Sequence, residues 1–205
     1  MLNNILLTGG SGRLGKELQK YLTCYAPPRS EFDILDPTTM IRKSPDVVIH
    51  AAAYTNVPGS EIEKAECYKT NVIGTMNMAE IFHNSYFVYI SSEQVTDPVN
   101  FYLKTKRWGE LAIERYCSKY LIIRTLFKEN PFPYTYAFTD QYTTGDYLDV
   151  ITPLIVNHIL MEHTGTIDVG TGRKTMFELA RRTKPDVLGN SVDDIKDVKL
   201  PKDYL

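Results

Sequence analysis

Thr8-Gly9-Gly10-Ser11-Gly12-Arg13-Leu14-Gly15 links a short apolar run, Asn4 to Thr8 (NILLT), to the segment Arg13 to Leu22, where Leu14, Leu18, Tyr21 and Leu22 recur at helical spacing. A glycine-rich turn leading from a buried strand into a helix is the setting that a dinucleotide fingerprint requires. Gly10 and Gly12 let the chain turn tightly and bring backbone N–H groups close to a pyrophosphate. The helix N-terminus adds partial positive charge, and Gly15 lets helix and strand pack. An ordinary tight turn is the alternative, and the position between strand and helix counts against it.

Outward from this loop, strand-like runs alternate with helix-length segments. Tyr25 and Ala26, before the break at Pro27-Pro28, read as a short second strand, and Asp46 to His50 (DVVIH) as a third. Glu61 to His83 reads as one long helix with Ala65, Val72, Met76 and Ala79 on a stripe. Phe87 to Ile90, Tyr102 to Tyr116 and Leu121 to Arg124 follow as strand, helix and strand. This alternation predicts an α/β fold, a Rossmann-type doubly wound parallel sheet with helices on both faces and a small C-terminal lobe. After Leu126 the pattern changes. Lys128 to Tyr147, rich in Pro, Tyr and Thr, reads as loop, followed by a helix (Val150 to Met161), a strand (Thr166 to Val169) and a helix (Phe177 to Arg182). Pro185 to Leu205 has weak periodicity and is expected to be irregular. The expected division is a dinucleotide-binding core over 1–125 and a reduced substrate-side lobe over 126–205, packed on that core.

A chain of 205 residues with 43% hydrophobic residues suits one domain with a modest appendage. The formal charge of -2, with no Lys/Arg cluster, argues against a nucleic-acid partner. Cys24, Cys67 and Cys117 are far apart and, like the four scattered histidines, form no metal motif. The N-terminus lacks a basic start and a long apolar stretch, and no window reaches membrane-span length, so a cytoplasmic location without membrane contact is expected.

The end of the second strand should meet the adenosine ribose. There Arg29 with Ser30 would clasp a 2′-phosphate, favouring NADP; the alternative, Glu31 on a free ribose, would favour NAD. Tyr102 and Lys106, four apart on a predicted helix, share one face. A Tyr-x-x-x-Lys spacing alone is a common accident. Its weight comes from following a strand that ends in Ser91-Ser92, downstream of the glycine loop.

With those pieces assembled, the sequence resembles the extended short-chain dehydrogenase/reductase family, most closely its dTDP-4-dehydrorhamnose reductase branch, which acts on nucleotide-activated sugars. Matching stretches, in order, are TGGSGRLG (Thr8 to Gly15), EFDILD (Glu31 to Asp36), DVVIHAAAYTNV (Asp46 to Val57), Asn71-Val72-Ile73-Gly74 and YISSEQV (Tyr89 to Val95). Tyr102-x-x-x-Lys106 with Gly109-Glu110, IIRT (Ile122 to Thr125), TDQYTT (Thr139 to Thr144) and GTIDVGTG (Gly165 to Gly172) complete the series. The resemblance implies Tyr102 as general acid toward a substrate carbonyl while hydride arrives from the nicotinamide. Lys106 would lower the phenol's pKa and bond the nicotinamide ribose, and Ser92 would hydrogen-bond the carbonyl oxygen. A plain strand-end cap is the alternative for Ser92. Asp33 and Ile34 would lie beside the adenine, and Ala51, Ala52 and Ala53 would be small to admit the cofactor. A core segment is the alternative for the alanines. Tyr54, Asn71 and Ser91 would line the same crevice, and Thr8 to Gly15 would bind the pyrophosphate.

The departures fall on the substrate side. Nine residues separate Ser92 from Tyr102, fewer than the family has, the stretch after Thr125 is abbreviated, and Gln94 stands where the family has an aromatic residue. Two readings therefore stand. One is an NAD(P)-dependent reductase of a 4-keto nucleotide sugar or a smaller carbonyl compound. The other is a non-catalytic NAD(P)-binding regulatory or interaction module derived from the same family. A homodimer is expected through the outer faces of the helices Glu61 to His83 and Tyr102 to Tyr116, which offer Tyr68, Met76, Trp108 and Ile113.

Overall fold

The computed structural model describes residues 3–41 and 43–203. The chain begins with β1 (Ile5–Thr8) and α1 (Arg13–Leu18), then runs through β2 (Val47–His50), α2 (Val57–Ile62), α3 (Lys64–Tyr68) and α4 (Gly74–Ile81). β3 (Tyr86–Ser92), α5 (Phe101–Tyr116) and β4 (Lys119–Thr125) complete the part preceding Leu126. Beyond it come β5 (Phe127–Lys128), β6 (Tyr136–Phe138), β7 (Tyr142–Thr143), β8 (Asp146–Tyr147) and α6 (Leu148–Leu160). β9 (Gly165–Asp168), β10 (Lys174–Thr175), α7 (Met176–Arg181) and β11 (Leu188–Asn190) follow.

The main sheet is parallel, in the order β1-β2-β3-β4-β9. Its strands alternate sides with period two. Ile5, Leu7, Val47, Ile49, Val88, Ile90, Leu121 and Ile123 pack against α1 and α6 through Leu14, Leu18, Ile151 and Ile155. Leu6, Val48, Phe87, Tyr89 and Ile122 pack against α4 and α5 through Met78, Ala79 and Ile113. A sheet buried on both faces explains why these strands read as unbroken apolar runs. The doubly wound α/β fold expected from the sequence is the fold observed.

Several local expectations change. The second strand shrinks to one parallel bridge, Leu6 with Tyr25, because Pro27 and Pro28 stop it. The single helix expected from Glu61 to His83 is three helices. Asn56 caps α2, the chain leaves helical geometry at Glu63 (φ -92°, ψ 44°), and a π-helical turn, Lys69–Ile73, joins α3 to α4. The stretch from Lys128 to Tyr147 holds four short strands rather than loop alone, and β11 in the C-terminal stretch pairs in parallel with β6. β9 is a strand of the main sheet and α6 contributes to its core, so these two belong to the same layers as residues 5–125. A separate small cluster, Phe132, Ala137, Tyr147, Met176, Leu179, Ala180 and Val187, forms the core of the remaining lobe. No helix among the described residues is long and apolar enough to cross a membrane.

Candidate active site

The winding of the sheet reverses at β1: the Tyr25 bridge lies on one side of it and β2 on the other. In such sheets the crevice for a ligand opens beyond the carboxyl ends of the strands at that reversal, and the glycine loop occupies that place here. Gly9, not Gly10 or Gly12, takes the left-handed conformation (φ +72°), and a Cβ there would sit 2.7 Å from the Ala52 nitrogen. The Gly12 N–H closes the turn on the Gly9 carbonyl at 2.9 Å. Gly15 presses against that same carbonyl, which a Cβ would approach to 2.2 Å. Gly12 is the N-cap of α1 and brings no side-chain acceptor, which leaves the first-turn N–H groups available to an anion. Ser11 and Arg13 are exposed, Leu14 is buried in the core, and Arg13 Nε pairs with Glu129 at 3.4 Å.

Thr8 closes β1 at the foot of the loop. Its hydroxyl is buried, 2.7 Å from His50 Nδ1, and accepts from the Ala52 N–H at 3.3 Å. It ties β1 to β2 beneath the loop. The His50 ring also meets the Thr75 hydroxyl at 3.1 Å, and burial, with the Lys106 charge, pushes its pKa down to about 3. Ala51, Ala52 and Ala53 are half-buried along the crevice wall. Tyr54 donates its N–H to Asn71 Oδ1 at 2.8 Å and its hydroxyl to Glu63 at 2.5 Å.

On the ribose side, Arg29 and Ser30 are exposed, and Arg29 Nε donates to Asp33 at 3.2 Å. The other Asp33 oxygen accepts from the Leu35 N–H at 2.9 Å, so Asp33 shapes the turn as well as facing Arg29. Ile34 is buried against Gly74. Glu31 is held by the Tyr25 hydroxyl.

α5 carries Tyr102 and Lys106, and Lys106 reaches β3. Lys106 is buried and donates to the Ile90 carbonyl at 2.7 Å, its ammonium 4.2 Å from the centre of the Tyr89 ring. Ser92, also buried, lies two residues further along β3, roughly 7 Å on at the usual strand rise. Ser91 is buried on the neighbouring position. Tyr102 is half-buried one turn before Lys106. Burial lowers the Lys106 ammonium to about 7, against the opposing pull of Glu110 and Cys67. Burial, and then Cys67, pushes the Tyr102 phenol up to about 12. The Lys106 ammonium itself is bonded to the Ile90 carbonyl.

Five supports were not evident from the sequence. The start of α5 is capped from three directions: Phe101 N–H donates to Glu61 at 2.7 Å, Tyr102 N–H to Ser60 at 3.1 Å and Leu103 N–H to Asn100 at 2.9 Å. Asn71 Nδ2 donates to the Thr105 hydroxyl at 3.0 Å, and that hydroxyl donates to the Tyr102 carbonyl at 2.7 Å. Behind Lys106, buried Glu110 receives Arg124 at 3.0 and 2.8 Å and Arg107 at 2.8 Å. Burial works to raise the Glu110 carboxyl, but these cations hold it below its ordinary value. Glu93 accepts from Thr143 at 2.6 Å and Thr144 at 3.2 Å, which pins the TDQYTT stretch to the end of β3. Asn100 Nδ2 meanwhile donates to the Lys199 carbonyl at 3.0 Å. Gln141 reaches the Pro201 carbonyl at 2.9 Å and Tyr142 N–H the Lys202 carbonyl at 2.8 Å, so the C-terminal segment straps the short Ser92–Tyr102 connection.

Of the residues expected on a dimer face, Tyr68 and Trp108 are exposed and touch edge to face, Met76 is half-buried, and Ile113 belongs to the core.

Residues 3–152 match the RmlD substrate binding domain family. The chain is 33% identical over 147 residues to a dTDP-4-dehydrorhamnose reductase of Aggregatibacter actinomycetemcomitans, covering 59% of this chain and 50% of that protein. It spans about half the length of the curated relatives it matches. Among solved structures, it resembles dTDP-4-dehydrorhamnose reductase from Bacillus anthracis in complex with NADP, with a TM-score of 0.86 at 25% identity, covering 98% of this chain and 89% of that one. A Clostridium acetobutylicum orthologue gives 0.85 at 25% identity, covering 97% and 88%. Match and architecture agree along the glycine loop, the parallel sheet and the Tyr-x-x-x-Lys helix, and the chain belongs to the RmlD substrate binding domain family.

Proposed function

We propose that the chain binds NADP in the crevice beyond β1 and reduces the 4-keto group of a nucleotide-linked sugar. The observation that supports this reading is the bond from Lys106 to the Ile90 carbonyl, which sets the helix carrying Tyr102 and Lys106 against β3, the strand that ends in Ser92. In keeping with a dinucleotide site, the glycine loop packs tightly against the segment after β2, and that segment offers three small residues, Ala51, Ala52 and Ala53. The relatives support the cofactor, since the Bacillus anthracis protein is described with NADP and a Pseudomonas aeruginosa protein of similar fold with NADPH.

When bound, the nicotinamide supplies the hydride. The chain's own part is proton and charge handling. Tyr102, held up near 12, keeps its proton at neutral pH and serves as an acid. Ser92 steadies the developing charge on the carbonyl oxygen. Lys106 places a positive charge one helical turn from the phenol, where it favours the phenolate left after proton transfer. Arg29 beside Ser30 takes the 2′-phosphate, so NADP is preferred over NAD. The test is oxidation of NADPH by a dTDP-4-keto-6-deoxy sugar, with Tyr102→Phe as control. Turnover that vanishes in the variant supports the reading, and folded, NADPH-bound protein without turnover sinks it.

One observation favours a second reading, a non-catalytic NAD(P)-binding module. Only nine residues join Ser92 to Tyr102, which trims the side on which a sugar would lie. Activity that is lost in Tyr102→Phe would exclude this alternative. The expected homodimer rests on the exposed Tyr68–Trp108 pair and is tested by light scattering of wild type and Trp108→Glu.

A further inference from the structure

β5 follows the end of β4 and pairs with β8, setting Lys128 opposite Tyr147. The next residue, Glu129, reaches back to Arg13 at the start of α1, so Lys128 is held within one residue of a contact to the glycine loop. Burial and the Arg13 charge lower the pKa of its ammonium, and the Glu93 charge opposes them. Lys128 is thus placed next to the residue that ties β5 to the glycine loop.

Lys128 differs from every other described lysine that is not exposed. Lys43 donates to the Tyr25 hydroxyl, Lys106 to Ile90, Lys174 to Thr171 and Gly172, and Lys184 to Tyr134. Lys128 has no acceptor among the described residues; its ammonium stands 5.5 Å from the centre of the half-exposed Tyr134 ring. Glu93 accepts instead from the Thr143 and Thr144 hydroxyls. A half-buried cation without an acceptor is costly, and the arrival of an anion removes that cost.

We propose that Lys128 is a diphosphate-binding residue which, from the β5 wall of the crevice, faces Arg13 across the pyrophosphate of the bound cofactor. The inference rests on the reading of the crevice as an NADP site and adds a residue that the glycine fingerprint does not contain. It also gives the lobe a part in cofactor retention, because Lys128 sits beyond the end of the main strands on the segment that pairs with β8.

The test is calorimetric titration of wild type, Lys128→Gln and Lys128→Arg with NADPH, with dTDP as a substrate-type diphosphate, and with adenosine 2′-monophosphate, which has no diphosphate. A charge-assisted contact of this kind predicts that Lys128→Gln weakens NADPH about tenfold or more and Lys128→Arg far less. Adenosine 2′-monophosphate should bind all three proteins alike. If Lys128→Gln weakens dTDP and leaves NADPH unchanged, the cofactor assignment is overturned and the diphosphate is the substrate's. If neither ligand responds, Lys128 binds no diphosphate. Wild type that takes up no NADPH would instead overturn the reading of the crevice itself. Thermal melting separates binding from folding: Lys128→Gln should melt no lower than wild type, since the unpaired ammonium contributes no bond to the fold.

Discussion

The ammonium of Lys106 is bonded to the carbonyl of Ile90, 2.7 Å away, within the same buried layer as the neutral ring of His50. Helix α5 is thereby tethered to β3 by a group that costs stability to bury. Burial lowers that ammonium to about 7, whereas in the unfolded chain it stays charged to near 10.5. Between these values only the unfolded chain binds the proton, so stability rises with pH; below about 7 the full cost is present. Lys106→Met is expected to raise stability by roughly 1–4 kcal/mol near pH 6 while turnover disappears. Urea unfolding at that pH, paired with an activity assay, checks both halves.

His50 sets an acid limit by the same logic. Its ring is neutral down to about 3 in the folded protein and charges near 6.5 when unfolded. Across that window the unfolded state holds the extra proton, so folding loses up to about 1.4 kcal/mol per pH unit on acidification. His50→Gln should flatten the dependence of urea stability on pH between those values. An unchanged slope would assign acid sensitivity to other groups.

Tyr102→Phe removes the proposed proton donor without touching the glycine loop. Turnover should fall by roughly 10²–10⁴-fold while the NADPH dissociation constant stays within about twofold. Stopped-flow reduction and calorimetry separate the two effects.

Arg29→Ala removes the candidate 2′-phosphate clasp. NADPH binding should weaken about tenfold or more with NADH little affected, since charge-assisted contacts to a phosphate have that strength. Equal losses for both cofactors would mean that Arg29 acts through its pairing with Asp33.

Asn100 does two things, and its substitutions divide them. Asp at this position still accepts from Leu103 N–H but cannot donate to the Lys199 carbonyl; Ala does neither. Asn100→Asp should speed proteolytic cleavage in the C-terminal strap with little change in melting. Asn100→Ala should lose about 1 kcal/mol in addition. Identical cleavage of Asn100→Asp and wild type would mean that Gln141 and Tyr142 suffice to hold the strap.

What the sequence made legible was set by local physics. The strands are buried on both sides, so β2, β3 and β4 stand out as continuous apolar runs, and the glycine loop announces itself because no side chain fits at Gly9 or Gly15. The break at Glu63 was not legible: α2 turns away to cap α5 through Ser60 and Glu61, a contact 40 residues distant in the chain. Lys128 was invisible for a similar reason. In a stretch rich in proline and tyrosine it is one cation among several, and its setting arises from β5–β8 pairing and the Arg13–Glu129 bridge. The strap has weak periodicity and is held by backbone carbonyls, which leave no trace in residue identity.

That strap also orders events during synthesis. The glycine loop and the strands through β4 leave the ribosome first, and β9, which extends the sheet beside β4, follows some forty residues later. The carbonyl that braces Asn100, at Lys199, comes after all of them. A nascent chain can thus shape the crevice beyond β1 before the start of the Tyr102 helix has its last support. If the crevice holds NADP as proposed, an assembling protein would hold it earlier than it could use it.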